Sequence, residues 1–321
     1  MRVVVLGGTR FIGRASVEEL ASAGHTLMVV HRGELEPDDM PAVEHLHTDR
    51  EGLLQHRKEF EAFAPDTLLD CRALTTRDAE VALEAVPDVK RRVVISSLDV
   101  YRAFGSLNHN TETDPVPIDE ESPVRSERYL FRGQIPERFD YDKLDVEDLY
   151  LPKGAVSLRL PMVYGEHDYQ LREEFILRRV RAGRERIPIG SGGWLACRVY
   201  VRDAARAVRL ALEAPNVSGA FNVCDDRTYS MRVWAQMILD AAGSKAELVR
   251  VPDDKLPEDL ALTGNVLQHI AATAHKARAT FGWSTSDPYE TLRTTVRWHL
   301  DHPPANPNGD FAADDEALAA V

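Results

Sequence analysis

The sequence is poor in cysteine and has no long apolar run. Only three cysteines occur among the 321 residues, Cys71, Cys197 and Cys224, and they are odd in number and far apart. This usage argues against a disulfide framework and favours a reducing compartment. No apolar stretch approaches the ~20 residues that a membrane span needs. We therefore expect a cytoplasmic protein without a membrane partner.

Positive charge is also scarce. The chain has 39 Lys and Arg residues against 52 Asp and Glu residues, which gives a formal net charge of −13. Such a chain repels nucleic acids and anionic membranes at long range. An anionic cofactor can still be held locally by backbone N–H groups and a few arginines. We expect a small-molecule substrate, and we do not expect a nucleic-acid partner.

Strand and helix signals alternate along the first hundred residues. The strands are short, nearly continuous apolar runs, which is typical of a parallel sheet that is covered on both faces. A helix is predicted over Ile12–Ala23, with Gly24 as its C-cap. The predicted strands are Val3–Leu6, Thr26–Val30, Glu44–Leu46, Thr67–Asp70 and Arg92–Ser96. The alternation predicts an α/β fold, a Rossmann-type doubly wound parallel sheet.

Later signals predict a smaller α/β C-terminal substrate lobe. A long polar insert, 102–136, precedes a helix over 137–149 and a strand over 155–160. Further helices are predicted at 171–182, 203–212, 231–242 and 288–300, a strand at 220–223, and a loop at 187–193. We predict that 1–160 and 199–224 form an NAD(P)-binding Rossmann domain, that 161–198 and 225–302 form the substrate-binding lobe, and that 303–321 are a disordered acidic tail.

A glycine-rich loop joins the first strand to the first helix. Gly7 permits the tight turn, Gly13 permits close helix–strand packing, and the helix N-terminus attracts a pyrophosphate. The strand before the loop and the helix after it give this motif its required context. The predicted cofactor-binding residues of the loop are Gly7, Gly8, Thr9, Arg10, Phe11, Ile12 and Gly13.

An arginine follows the second strand. NAD-selective sites usually place an acid there, whereas an arginine such as Arg32 suits a 2′-phosphate, and Arg10 could join it. The alternative interpretation is two surface arginines. We expect NADP as the cofactor, with NAD as the alternative.

With these residues in view, the chain resembles the extended short-chain dehydrogenase/reductases, the NAD(P)-dependent epimerase/dehydratase family, over about residues 1–302. The motifs that carry the resemblance follow the glycine loop in order: the serine segment 96–101, the lysine segment 143–147, the substrate loop 159–165, and the segments 199–203 and 221–223. The resemblance implies catalytic roles for Ser97 and Lys143. It also implies that Asp49, Arg50, Ala73 and Lys143 contact the cofactor.

The chain departs from the family pattern at four places. The middle glycine of the loop is Arg10, which resembles an atypical GGxxxxG subgroup with reductase-like, sugar-dehydratase-like and chloroplast RNA-binding members. The tyrosine of the catalytic Tyr-x-x-x-Lys motif is Phe139. The substrate-loop asparagine is Met162, and only Asp99 remains of an Asp-Glu pair.

The missing phenol leaves the proton donor open, because Phe139 has no proton to give. Tyr141 is the nearest substitute, but two residues on a regular helix correspond to a rotation of ~200°. That rotation favours a packed or surface role for Tyr141. Asp99, beside the serine, is a second candidate, with a turn or helix cap as its alternative role. Tyr129 in the insert is a third.

Two other clusters have ordinary interpretations. His45 and His47 are two apart on a strand and so lie on one face, but no further ligand is evident, and we predict no metal site. The arginines of the helix after the substrate loop are expected on a solvated face, with substrate phosphates as the alternative. They are Arg172, Arg178, Arg179, Arg181, Arg184 and Arg186.

The sequence thus predicts an NAD(P)-dependent oxidoreductase, epimerase or dehydratase that acts on a carbonyl or sugar-type small molecule through an atypical active site. One alternative is a dinucleotide-binding sensor or scaffold without catalysis. Another is an RNA-binding member of the atypical subgroup, which the acidic charge disfavours. The resemblance also implies a homodimer formed by two helices packed side by side.

Overall fold

A seven-stranded parallel sheet forms the centre of the molecule. The computed structural model describes residues 1–136 and 138–321 in full. The sheet strands are β1 (Arg2–Leu6), β2 (Thr26–His31), β3 (Glu44–His47), β4 (Thr67–Asp70), β5 (Arg91–Ser97), β6 (Val156–Leu160) and β10 (Gly219–Asn222). Their spatial order is β10-β6-β5-β4-β1-β2-β3. The predicted Rossmann-type doubly wound fold is confirmed.

Helices cover both faces of this sheet. They are α1 (Phe11–Ser22), α2 (Arg57–Phe63), α3 (Thr76–Ala85), α5 (Lys143–Tyr150) and α7 (Val201–Glu213), while the short helix α4 (Arg102–Gly105) lies in the insert after β5. Successive residues of β1 serve opposite faces, since Val3 and Val5 belong to one hydrophobic core and Val4 and Leu6 to the other. The apolar run of β1 is continuous because both of its faces are covered.

The remaining elements form a smaller lobe at one end of the sheet. Its strands are β7 (Met162–Tyr164), β8 (Arg186–Ile189), β9 (Arg198–Tyr200) and β11 (Glu247–Arg250), which pair as β7–β9 and β8–β11. Its helices are α6 (Glu174–Arg181), α8 (Met231–Ala241), α10 (Pro288–Asp301) and α11 (Ala312–Ala319), whereas α9 (His275–Phe281) packs against β10 of the central sheet. The loop predicted at 187–193 is therefore wrong at its start, because Arg186–Ile189 pairs with β11. The domain boundaries stay a prediction.

Helix α5 begins six residues later than the helix predicted over 137–149. Asp142 has extended backbone angles, and its side chain accepts a hydrogen bond from the Leu144 amide at 2.9 Å. This N-cap starts the helix at Lys143. Arg125 holds the same carboxylate through two bonds of 2.7 and 2.8 Å. Consequently Phe139 and Tyr141 lie in the chain before the helix and have no helical relation to each other.

The disordered tail predicted for 303–321 is wrong for its second half, where Ala312–Ala319 forms α11. Asp314 is buried and pairs with the buried Arg179 at 2.6 Å. From composition alone, the acidic residues of this segment were expected to be exposed to solvent. The predicted solvated face is wrong for Arg178 and Arg179, which are buried and share Asp259, whereas Arg186 is exposed as predicted.

The structure also bears on the expectations about disulfides and membrane spans. The three cysteines are free. Among the helices that the described residues form, none combines the length and the apolar character needed to cross a membrane.

Candidate active site

The glycine loop lies between β1 and α1, at the carboxyl edge of the sheet. Gly7 has φ +85°, which favours glycine. A Cβ atom on Gly13 would lie 2.0 Å from the carbonyl oxygen of Gly7, so only glycine permits this approach. A Cβ atom on Gly8 would lie 2.7 Å from a methyl group of Val29. Gly8 thus serves helix–sheet packing, and Gly7 and Gly13 shape the loop.

A cleft of about 570 Å³ opens over this loop. Its volume is within the usual range for ligand pockets. Its lining includes most of the residues predicted to bind a cofactor, namely Gly7, Thr9, Arg10, Phe11, Ile12, Gly13, Arg32, Asp49 and Arg50. The cleft lies at the carboxyl ends of the strands, next to β1, where doubly wound sheets bind ligands.

The arginines of the cleft differ in how firmly acidic residues hold their side chains. Arg50 is committed to the buried Asp70 by two hydrogen bonds of 2.8 and 2.9 Å. Although burial opposes it, this pairing holds the pKa of Asp70 below its usual value. Arg32 is exposed and pairs with the exposed Glu34 at 2.7 Å. Because an exposed pair is weak, Arg32 can turn toward a ligand at little cost.

Four polar side chains converge beyond the cleft, at the end of β5 and the start of α5. The Tyr141 hydroxyl donates a hydrogen bond to Asp99 Oδ2 at 2.7 Å. Ser97 Oγ accepts a hydrogen bond from the Asp99 amide at 3.1 Å. Lys143 Nζ lies 5.9 Å from the centre of the Tyr141 ring. Tyr141 is buried, and the helical rotation that set it apart from the site does not apply, because α5 begins only at Lys143.

Two backbone carbonyl groups hold the ammonium group of Lys143 in place. Its ammonium group donates to the carbonyl oxygens of Ala73 at 2.6 Å and of Ile95 at 2.8 Å. Ala73, predicted as a cofactor contact, therefore holds the lysine in place through its backbone. Phe139, at the family's tyrosine position, is 55% exposed. Tyr129 stacks on Arg132 and stands outside this group.

Burial dominates the electrostatics of the cluster. It raises the pKa of Asp99, and burial together with Asp99 raises the pKa of Tyr141 well above its ordinary value. Burial lowers the pKa of Lys143 to about 8. Oδ1 of Asp99 is buried and has no hydrogen-bond partner among the described residues. The Asp99–Tyr141 pair can hold a proton and exchange it, and Oδ1 of Asp99 keeps an unused acceptor position.

A second cavity, of about 430 Å³, lies in the smaller lobe. Its lining includes Met162, Arg172, Glu173 and Arg198. Burial, followed by the charge of Asp168, raises the pKa of Glu173 to about 7. Burial lowers the pKa of Arg198 to about 10. Sequence reasoning missed Glu173 and Arg198, although Arg198 directly precedes the recognisable 199–203 segment.

The prediction that no further ligand lies near His45 and His47 is wrong. His31 and Glu36 join them, and one side-chain atom of each of the four residues lies within 4.8 Å of the others. Nothing in the sequence spacing revealed this group, because β2 and the connection to β3 had to be placed first.

The glycine loop and the doubly wound parallel sheet define a Rossmann-type α/β protein. No established protein-family model matches the chain. A curated relative, the "Chloroplast stem-loop binding protein of 41 kDa b" of Arabidopsis thaliana, is 25% identical over 99% of this chain and 84% of its own length. The "2'-dehydrokanamycin reductase" of Streptomyces kanamyceticus is 26% identical over 81% of this chain and 72% of its own.

Solved structures give the same fold. A UDP-glucose 4-epimerase of Thermotoga maritima with UDP-glucose superposes with a TM-score of 0.72 at 19% identity, covering 94% of this chain and 99% of that one. A UDP-glucose 4-epimerase of Stenotrophomonas maltophila, with NAD and formylated UDP-arabinopyranose, gives 0.73 at 18% identity over 94% and 98%. The resemblance to the extended short-chain dehydrogenase/reductases, the epimerase/dehydratase family, is confirmed in the fold.

Proposed function

We propose that the protein is an NAD(P)-dependent oxidoreductase that acts on a carbonyl group of a sugar-type small molecule. The observation that carries the proposal is the position of the Tyr141 hydroxyl beside Asp99, Ser97 and Lys143. A chain that lacks the family's tyrosine in sequence thus has a buried phenol beside the same serine and lysine.

The residues of the cleft fit a dinucleotide. Gly7 and Gly13 let the loop turn tightly at the N-terminus of α1, whose free N–H groups would bind a pyrophosphate. The cofactor would supply or accept the hydride. Ser97 would orient the substrate carbonyl, and the Tyr141–Asp99 pair would exchange the proton at its oxygen. Lys143 would keep a positive charge near the phenol.

NADP is the preferred form of the cofactor in this proposal. Arg32 lies at the rim of the cleft with only an exposed partner, and Arg10 lines the same cleft. Titrating the protein with NADPH and NADH, followed by cofactor fluorescence, tests the preference. We expect tighter NADPH binding that falls in Arg32→Ala while NADH binding does not change. Equal binding of the two cofactors would remove the preference and leave the oxidoreductase proposal standing.

The substrate class rests on the second cavity and on the relatives. Three arginines line that cavity beside Met162, and one relative is named a 2'-dehydrokanamycin reductase. We therefore expect reduction of a keto-sugar or a related oxidised saccharide. The test is NADPH-dependent turnover of a panel of keto-sugars, with Ser97→Ala and Lys143→Met as inactive variants and Lys153→Met as the control.

A negative result in the keto-sugar assay would distinguish between the remaining interpretations. Cofactor binding without turnover of any panel member, together with a gain of activity in Phe139→Tyr, would favour a sensor or scaffold that has lost catalysis. Turnover unaffected by Ser97→Ala and Lys143→Met would overturn the site assignment.

RNA binding is a second candidate, and one observation favours it, the stem-loop-binding name of the Arabidopsis relative. The net charge of −13 opposes it, because phosphate contacts need a basic surface. Filter binding of a stem-loop RNA at low salt separates the two proposals. Retention of the RNA in a salt-dependent manner would support the second candidate, and no retention would remove it.

A further inference from the structure

Three histidines and one glutamate form a compact group at the edge of the central sheet. Their ligand atoms all lie within 4.8 Å of one another. His31 ends β2, His45 and His47 belong to β3, and Glu36 lies in the connection between these strands. The proposed function uses none of the four.

Strand pairing brings the histidines together. The parallel register places His31 opposite His47, and His45 stands two residues before His47. The strand period of two directs His45 and His47 to one face, and His31 shares it through the pairing. Sheet geometry therefore presents three imidazoles on a rigid surface, and the connection carries the carboxylate to them.

A single carboxylate oxygen lies at the centre of the group. Glu36 Oε1 is 3.2 Å from His31 Nε2, 3.8 Å from His45 Nδ1 and in close contact with His47 Nε2. His31 Nε2 and His45 Nδ1 are 2.8 Å apart. Four ligand atoms around a tetrahedral ion with bonds of ~2.0–2.1 Å would be about 3.3 Å apart. The observed separations bracket that value, so small side-chain rotations suffice to bind an ion.

Without an ion, hydrogen bonds among the three histidines, Glu36 and the Gly33 amide hold this group together, so metal binding has to replace them. His31 Nδ1 accepts from the Gly33 amide at 3.1 Å, so its proton sits on Nε2, which faces both His45 and Glu36. Binding through Nε2 moves that proton to Nδ1 and gives up the Gly33 bond, a loss of about 1 kcal/mol. Four metal–ligand bonds greatly exceed this loss.

We propose that His31, Glu36, His45 and His47 form a structural site for a divalent transition metal of the Zn²⁺ class. Imidazole nitrogen with one carboxylate suits Zn²⁺, and four protein ligands close the site as structural zinc sites are closed. The ion would tie the connection after β2 to the edge of the sheet. Because Glu34 and Leu35 of that connection line the cleft, metal binding would order one of its walls.

The test uses the full chain without an affinity tag, stripped with EDTA and free of cofactor. Equilibrium dialysis against Zn²⁺ should give one ion per chain. Co²⁺ should give the intense visible absorption of a tetrahedral site. Both His47→Gln and Glu36→Gln change exposed residues that the fold tolerates, and each should weaken the affinity for Co²⁺ at least about 10-fold.

The matched control is His275→Gln, which removes an exposed histidine outside the group and should keep both the stoichiometry and the spectrum. Uptake of less than a tenth of an equivalent by the wild type would overturn the proposal. So would an affinity that is unchanged in both His47→Gln and Glu36→Gln. Since the measurement involves neither cofactor nor turnover, its outcome is independent of the oxidoreductase proposal.

Discussion

The Tyr141 hydroxyl is the residue-scale feature on which catalysis would depend. Removing it in Tyr141→Phe keeps the ring and deletes only the proton that is shared with Asp99. General acid–base groups contribute typically ~10²–10⁴-fold, so we expect kcat with the best keto-sugar to fall at least about 100-fold. NADPH binding should stay unchanged, as measured by fluorescence titration.

The matched control for this variant is Phe139→Tyr, which places a phenol at the family's usual sequence position. Phe139 is 55% exposed, so its new hydroxyl would point away from the buried cluster. Activity should stay at the wild-type level, and Phe139→Tyr should not rescue Tyr141→Phe. Rescue in the double variant would show that the phenol acts from position 139 after all.

Lys143 predicts an unusual dependence of stability on pH. Burial lowers its pKa from the ordinary value of 10.5 to about 8. Between these values the unfolded chain binds a proton that the native chain has lost, so this group's contribution to stability rises with pH. Between pH 8 and 9.5, the free energy of unfolding of the wild type should rise by about 2 kcal/mol relative to Lys143→Met.

Urea unfolding at the two pH values measures this difference. Lys153→Met is the control, because Lys153 is exposed and its loss should change the free energy of unfolding equally at both pH values. A difference between wild type and Lys143→Met that stays constant with pH would contradict the lowered pKa.

At the scale of the element, the turn between β1 and α1 depends on one glycine. A Cβ atom at position 13 would lie 2.0 Å from the Gly7 carbonyl oxygen. Gly13→Ala must therefore open the loop, and we expect it to weaken NADPH binding at least about 100-fold, about 3 kcal/mol. Gly309→Ala, where an added Cβ meets no atom within 4 Å, should bind as the wild type does.

The last helix, α11, is held by a buried ion pair. Both Asp314 and Arg179 have fully buried side chains. Asp314→Asn leaves Arg179 with only Asp259, which Arg178 shares, so it should lower the free energy of unfolding by about 2 kcal/mol. The neighbouring Asp315 pairs with Arg184 at the surface, and Asp315→Asn should cost less than about 1 kcal/mol. Urea unfolding of both variants provides the comparison.

Elements with continuous or periodic apolar patterns were predictable from the sequence. The strand Thr67–Asp70 has the predicted bounds, and α8 and α10 start at the predicted residues. The start of α5 was not predictable, because the Asp142 cap depends on Arg125, which is 17 residues away in the insert. For the same reason the sequence offered Tyr141 and Asp99 as open candidates beside Ser97 and Lys143, and the structure was needed to show that the two contact each other. The Glu36 and His31 contacts likewise appear only after strand pairing.

At the scale of the whole molecule, two hydrophobic cores share one sheet, and the glycine loop joins β1, which contributes to both. A ligand bound at this loop should therefore stabilise both cores together. At a free NADPH concentration 100 times its Kd, the free energy of unfolding should rise by about 2.7 kcal/mol. Far-UV circular dichroism and tryptophan fluorescence should report the same shift. Two separate transitions, of which only one responds to NADPH, would contradict this coupling.

Because Tyr141 lies in the chain before α5, no helical spacing fixes its position relative to Lys143. Sequence spacing and closeness in space are therefore independent for these two residues. On a helix, the phenol and the lysine are separated by a fixed number of residues, and a sequence motif can detect that spacing. Here the lysine is positioned by α5, whereas the phenol is positioned by Asp99 across the chain. A phenol held in this way can occupy the same place in space from more than one position along the sequence. Loss of the motif and loss of the chemistry are then separate events, and enzymes sorted by motif alone would be misclassified as inactive.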